Sequence, residues 1–330
     1  MSRGLLEPWL ERKTGLGPEL EPKAVEAWQM ARFRQLLAYV RAHSPFYRRL
    51  YQDVDGSRLR RYGDLAPLPL LCAEDLRQQG GEMLCVPQTE IQRIVTLSTS
   101  GSSGPPIRVC FSAADLELTV DFFSYGMSTM TGPDKRVMIF LPGNNPDGLC
   151  DLLTRGLRRI QAQPLVYGLV KDLPDAAAAL RAFQPHCLVG MPRQMLSLAQ
   201  ACPELRPEVV LFSAENVHEP MRQALAQLWP ARVLANWAMT ETGYGAGLEC
   251  RPAGGYHLRH GDLLVEIIDP ESGRPLPPGQ QGEIVFTTLT REAMPLLRYR
   301  SGDFARMIAE PCPCGSALFR LGPVLGHDKY

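Results

Sequence analysis

Between residues 91 and 234 the chain alternates short apolar runs with longer segments of helical period. The strand-like runs are Ile91–Leu97, Ile107–Phe111, Val137–Leu141, Leu165–Tyr167, Cys187–Val189, Val209–Phe212 and Val233–Leu234. Helical patterns fall between several of them, at 113–130, 149–160, 174–183, 193–200 and 218–228. Strands that alternate with helices predict an α/β core whose strands are buried and largely parallel. Ahead of it, residues 24–43 place Trp28, Phe33, Leu36, Leu37 and Val40 at helical spacing, and Ser44-Pro45 ends that helix. A Pro-rich connection leads to a capped helical turn near Glu74. After about residue 262, LLVEIID, a PESGRPLPPGQQG turn and EIVFTTLT read as antiparallel hairpin strands. The expected organisation is therefore a helical part over 1–90, an α/β core over 91–261 and a β-rich subdomain over 262–330.

Composition excludes several classes of partner. Lys plus Arg and Asp plus Glu are both 35, so no net field draws the chain to nucleic acid or anionic lipid. No apolar stretch approaches a membrane span, and MSRGLLEPWLERKTG lacks a signal-peptide core. Nine cysteines without such a signal point to a reducing, cytoplasmic setting. Cys72, Cys85, Cys110, Cys150, Cys187 and Cys202 stand singly among apolar neighbours and read as core. Cys312 and Cys314 flank a proline in PCPCG, while Cys250 and His257 bracket RPAGGY. Three thiols and an imidazole in Gly- and Pro-rich loops suit a closed tetrahedral zinc site, with His260 a competitor for His257.

The segment Ile91–Phe111 runs from an apolar strand through Ser98-Thr99-Ser100-Gly101-Ser102-Ser103-Gly104 and two prolines into a second strand. Hydroxyls and freely oriented backbone N–H groups in such a loop can form a nest for phosphate oxygens. It is not a Walker loop, since no Gly-Lys-Ser/Thr follows and a strand succeeds it. Alone, a Ser/Gly loop is more often a plain turn. Three further segments stand with it: a strand ending in Ser213-Ala214-Glu215, a strand running into Asn236-Trp237-Ala238-Met239-Thr240-Glu241, and RYRSGDF at 298–304.

In their order and spacing, TSGSSGPP, SAE, NWAMTETG and YRSGD resemble the motifs of the adenylate-forming (acyl-CoA synthetase) superfamily. SPFYRRLY, LPLLCAEDLR and TLSTSGSSG resemble phenylacetate–CoA ligases in particular, and the likeness spans roughly residues 28–328. The resemblance implies a large adenylation domain that binds ATP or AMP with Mg²⁺ and joins a small carboxylic acid to the α-phosphate. By similarity, Thr99, Ser100, Gly101, Ser102, Ser103 and Gly104 cradle the β- and γ-phosphates. Ser213, Ala214, Glu215, Asn236 and Trp237 line the adenine, with Ala238 and Met239 leading to Thr240 at the α-phosphate. Glu241 holds Mg²⁺, and Asp303 accepts hydrogen bonds from the ribose hydroxyls. Thr240 and Glu241 are the catalytic candidates. Trp237 replaces the usual tyrosine and either stacks on adenine or walls an acyl pocket with Phe140 and Pro142. The GNNPDG loop after Phe140 is more polar than an aryl-acid pocket would favour. A similar Cys…His…CPCG arrangement occurs among relatives, which adds to the zinc reading.

The chain also departs from the pattern. Pro105, Pro106 and Ile107 stand where relatives often carry a lysine, and His327 takes the place of a hinge arginine. The sequence stops at Tyr330, where the family's small C-terminal lid, with its bridging lysine, would begin. The expectation is thus a ligase slow by itself, or completed by a lid-supplying or acceptor protein. A non-enzymatic adenylate-binding protein and a zinc-stabilised interaction module stay open as alternatives. CoA as acceptor and a homodimer are left open by the resemblance, which names no acid.

Overall fold

The computed structural model describes residues 4–97, 106–215, 217–250 and 254–326. Among these, the helices are α1 (Glu7–Thr14), α2 (Pro22–His43), α3 (Pro45–Leu50), α4 (Ala73–Gln79) and α5 (Ala113–Ser128). Then follow α6 (Leu149–Arg159), α7 (Leu173–Phe183), α8 (Pro192–Ala201) and α9 (Glu219–Leu228). The first strands are β1 (Ile91–Leu97), β2 (Ile107–Ser112), β3 (Arg136–Phe140), β4 (Gln163–Val166), β5 (Cys187–Gly190), β6 (Val209–Phe212) and β7 (Arg232–Trp237). The remainder are β8 (Gly247–Glu249), β9 (Tyr256–Leu258), β10 (Leu263–Ile268), β11 (Gln281–Thr288), β12 (Tyr299–Ile308) and β13 (Arg320–Leu321). The expected alternation of strand and helix is present, and each expected element lies within a few residues of its place, whereas α1, α3, β8, β9, β12 and β13 have no counterpart among the expected elements.

The chain divides into two compact units. One comprises 1–117, 240–243 and 257–330; the other comprises 118–239 and 244–256.

The second unit is the α/β core. Its strands run in the order β8-β7-β6-β5-β3-β4, parallel from β4 through β7, with β8 antiparallel at the edge. β5, β6 and most of β3 are buried along their length, as expected for strands covered by helices on both faces. From β3 the chain first forms β4 on one side and then returns to form β5 on the other. The connections therefore diverge at the carboxyl ends of β3 and β5, the point of an open parallel sheet where ligands are commonly held.

The first unit is β-rich, with helices laid on it. β10, β11, β12 and β13 pair antiparallel in sequence, and β1 pairs antiparallel with β2. The N-terminal helices dock by polar clamps as well as by core residues. Gln29 Nε2 donates to the carbonyls of His260 at 2.7 Å and Leu263 at 2.8 Å, while its Oε1 accepts from Tyr62 at 2.6 Å. Asp115, at the start of α5, accepts from the backbone N–H of Ser112, Glu292 and Ala293, at 3.0, 2.7 and 3.1 Å. One buried carboxylate so ties the helix start to a loop 177 residues later in sequence.

Arg298 fixes the entry to β12. Its guanidinium meets both oxygens of Glu266 at 3.0 Å, with Nη1 donating to the Leu68 carbonyl at 2.6 Å. The two side chains are 0% and 3% exposed. Removing one partner of such a pair leaves a buried charge uncompensated. Arg298→Met is expected to lower unfolding stability by about 3–5 kcal/mol, measured by urea denaturation. A change within about 0.5 kcal/mol, the range of an ordinary surface substitution, would show that the pair is not structurally important.

Candidate active site

In the first unit the site is built around Glu241 and β12. The Tyr-Arg-Ser-Gly-Asp segment reads locally as a turn, yet it lies inside a strand. On β11, Glu283 faces Phe304 and Val285 faces Arg300, so two steps on β11 correspond to four on β12. The additional residues form a bulge. Gly302 takes φ 75°, a left-handed conformation that costs a side-chain-bearing residue more. Ser301 Oγ donates to the Ile284 carbonyl at 2.7 Å and accepts from Asp303 N–H at 3.0 Å. Gly302 N–H donates to Glu283 Oε1 at 3.3 Å. Backbone and side-chain bonds thus hold the half-buried Asp303 on the bulge.

Glu241 is buried, and Tyr299 at the start of β12 donates its hydroxyl to the carboxylate. Burial raises the carboxyl's pKa, an effect opposed by its own backbone N–H, the Arg291 charge and the Tyr299 hydroxyl. Burial and the neighbouring carboxylate keep the Tyr299 hydroxyl protonated far above its ordinary range. Arg291 itself lies over the Phe111 ring, 4.8 Å from the centroid. A carboxylate whose negative charge is disfavoured by burial is suited to a hard cation that would stabilise that charge. Thr240 starts the tight turn carrying Glu241, with Gly243 N–H returning to the Thr240 carbonyl at 2.9 Å and Gly243 at φ 76°.

The other expected nucleotide and acyl-pocket residues of the described chain lie in the second unit. Ser213 is buried just beyond β6, where its N–H donates to the Gly190 carbonyl at 3.0 Å. Ala214 follows at φ 66°, a strained backbone for alanine, and Glu215 comes next, partly buried. Asn236 and Trp237 end β7, and Ala238 and Met239 lead from it into the Thr240 turn. The phosphate-loop candidates Thr99, Ser100, Gly101, Ser102, Ser103 and Gly104 lie outside the described residues.

A small cavity opens at the carboxyl ends of the parallel strands of this unit. Leu141, Val189, Leu211, Ser213 and Asn236 line it from the sheet, and Phe122, Phe123 and Met127 line it from α5. Of the three residues expected for an acyl pocket, none is in that lining: Phe140, Pro142 and Trp237 lie beside it in sequence. Phe140 is fully buried, its ring 5.2 Å from that of Tyr167. The wall residues on α5 were missed in the sequence because their helical spacing is that of any core-facing helix. Tyr299 and Asp115 were missed because their partners are distant along the chain.

Within the first unit, the ligand atoms of His257, Cys312 and Cys314 lie within 4.8 Å of one another. His257 Nε2 is 3.5 Å from Cys314 Sγ. Burial pushes the His257 imidazole down to about 4, so the ring is neutral and able to donate a lone pair. The competing His260 points elsewhere, with Nε2 3.3 Å from the Phe319 carbonyl. Cys250 is buried after β8 in the second unit, seven residues ahead of His257 along the chain. The donor set of the first unit suits zinc, whose structural sites combine thiolates with imidazole.

The chain belongs to the AMP-binding enzyme family, whose model matches residues 73–290. It is 30% identical to the phenylacetate–coenzyme A ligase of Thermus thermophilus over 333 residues, covering 94% of this chain and 72% of that protein. The Pseudomonas putida phenylacetate–coenzyme A ligase is 28% identical, with coverage of 92% and 71%. Among solved structures, a 2-hydroxyisobutyryl-CoA ligase in its postadenylation state superposes with a TM-score of 0.84 at 22% identity. That match covers 96% of this chain and 70% of the other, and it shows the shared fold. Among the described residues, no helix is long and apolar enough to cross a membrane.

Proposed function

We propose that this protein activates a small carboxylic acid by adenylation, with ATP and Mg²⁺, and passes the acyl group to a thiol such as that of CoA. The observation that carries this reading is the pairing, in one unit of an AMP-binding family member, of a buried, Tyr299-bonded Glu241 with a bulge-borne Asp303. A carboxylate oxygen of the acid attacks the α-phosphorus, the bond to the β-phosphate oxygen breaks, and pyrophosphate leaves. Two anions must meet for this, so the protein's work is alignment and charge neutralisation. Glu241 would hold the magnesium, which neutralises phosphate charge when bound. Thr240 contacts the α-phosphate and Asp303 takes the ribose hydroxyls. The loop from Thr99 to Gly104 cradles the outer phosphates. Ser213, Ala214, Glu215, Asn236 and Trp237 border the adenine. The apolar cavity on the second unit receives the acyl group.

The same reading assigns a structural zinc ion to His257, Cys312 and Cys314, with Cys250 as the fourth ligand. Cys250 supports this by its burial and its short tether to His257. No open position is needed, so the metal's role is to hold loops together.

Asp303→Ala tests the ribose assignment. It is expected to weaken ATP and AMP binding by about 1–3 kcal/mol through lost charge-assisted hydrogen bonds, read by calorimetry with adenosine nucleotides. Unchanged affinity for both would remove Asp303 from the site.

A further inference from the structure

We propose that residues 4–14 are the clasp of the metal centre: they bridge the two ligand-bearing segments of the first unit, so that clasp and zinc hold each other in place. The inference rests on the reading of His257, Cys312 and Cys314 as zinc ligands and adds a further segment to that site. Cys312 and Cys314 lie on a loop that closes with Cys312 N–H on the Ser316 carbonyl at 2.8 Å. Gly4 rides directly on this loop. A Cβ at Gly4 would stand 2.6 Å from the Ser316 Cβ, closer than side chains pack. The next residue, Leu5, donates its backbone N–H to Cys314 Sγ, as Ser316 N–H does from within the loop. Hydrogen bonds from outside the coordination sphere orient a metal ligand and favour its charged form. The Leu5 donor comes from the opposite end of the sequence, so no local turn around Cys314 requires it.

The other end of the same segment grips the strand that bears His257. Helix α1 carries the chain to the turn between β9, which holds His257, and β10. There Lys13 pairs with the buried carboxylate of Asp262, which also meets Arg259 Nε at 2.6 Å and Thr290 Oγ1 at 2.6 Å. Arg259 stands two residues after His257. Trp9, 1% exposed, fits against Gly261, where a Cβ would come 3.1 Å from its ring and 3.0 Å from Lys13 Cδ. A helix of eight residues is too short to persist alone in water, so α1 depends on these docking points. With zinc bound, both docking points belong to segments pinned to one ion. Without it, the Cys312–Cys314 loop can part from β9, and a clasp fixed to both must release one.

Two measurements on the full chain test this: zinc affinity by competition with a chromogenic chelator, and amide hydrogen exchange of zinc-loaded and zinc-stripped protein. Leu5→Pro deletes the N–H and is expected to weaken zinc binding by about 10–100-fold, the usual loss when an outer partner of a metal ligand is removed. Leu5→Ala keeps the N–H and should stay near the wild type. Gly4→Val crowds Ser316 and should weaken binding in the same direction as Leu5→Pro. Coupling between two sites is reciprocal. Stripping zinc from the wild type should therefore speed exchange across α1 by a comparable factor and leave α7, in the other unit, unchanged. Unaltered α7 exchange in each variant shows that the fold is intact. Wild-type zinc affinity in Leu5→Pro, or α1 exchange indifferent to zinc, overturns the proposal. A protein that takes up no zinc overturns the zinc assignment and the clasp with it. One that takes up zinc through Cys312, yet leaves α1 indifferent, overturns the clasp alone.

Discussion

Glu241→Gln is expected to reduce acid-dependent ATP–pyrophosphate exchange by about 10²–10³, the loss typical of removing one group that meets developing charge. The substitution keeps the side chain's shape and one oxygen that can accept from Tyr299, replaces the other oxygen by an NH₂ donor, and removes the negative charge. Because burial already raises the Glu241 pKa, protonation competes with Mg²⁺ at a higher pH than it would at an exposed carboxylate. The Mg²⁺ concentration needed for half-maximal exchange should therefore increase as pH falls through that raised pKa, and decrease as pH rises above it. A Glu241→Gln protein with wild-type exchange and wild-type Mg²⁺ dependence would place the metal elsewhere. Tyr299→Phe should have a smaller effect in the same direction, since it removes one hydrogen bond from the carboxylate and leaves the charge.

Loss of the metal should have the largest effect on stability. Purified protein is expected to contain about one zinc per chain, and Cys312→Ser to lose it. Structural zinc contributes an apparent 10–16 kcal/mol in zinc-finger peptides. Here a larger core remains, so local unfolding should precede global loss. Treatment with a strong chelator should expose the 310–318 region to proteolysis and lower the melting temperature, and added zinc should restore both. Protein that is free of metal, fully folded and indifferent to Cys312→Ser would contradict the assignment. His260→Ala, by contrast, should leave zinc content unchanged, because its ring faces the Phe319 carbonyl.

The alternation of strands and helices was legible because strands buried on both faces are apolar at nearly every position, a signal that survives without any partner being known. The single discrepancy along β7 is instructive. The sequence suggested a strand ending at Leu234, yet β7 continues to Trp237, because Asn236 interrupts the apolar run. A polar residue that weakens a strand signal, while its neighbours keep the strand, is a hint of function. The bulge at Ser301–Asp303 was visible only as a Ser-Gly-Asp turn. Its position within β12 depends on pairing with β11, which no local pattern encodes. Glu241 and Asp303 were found by resemblance, whereas Tyr299 and Arg291 were not, because both are ordinary core or edge residues until the chain brings them to Glu241. The thiol and imidazole spacing located three mutually close ligands, and burial of His257 then supplied the neutral ring.

The reading of the whole site can be tested in one assay. Incorporation of labelled pyrophosphate into ATP should be measured with Mg²⁺, across a panel of small aryl and branched acids. The account predicts incorporation that requires both an acid and Mg²⁺ and that is lost in Glu241→Gln. Absence of incorporation with every acid in the panel, by a protein shown by calorimetry to bind neither ATP nor AMP, would contradict it.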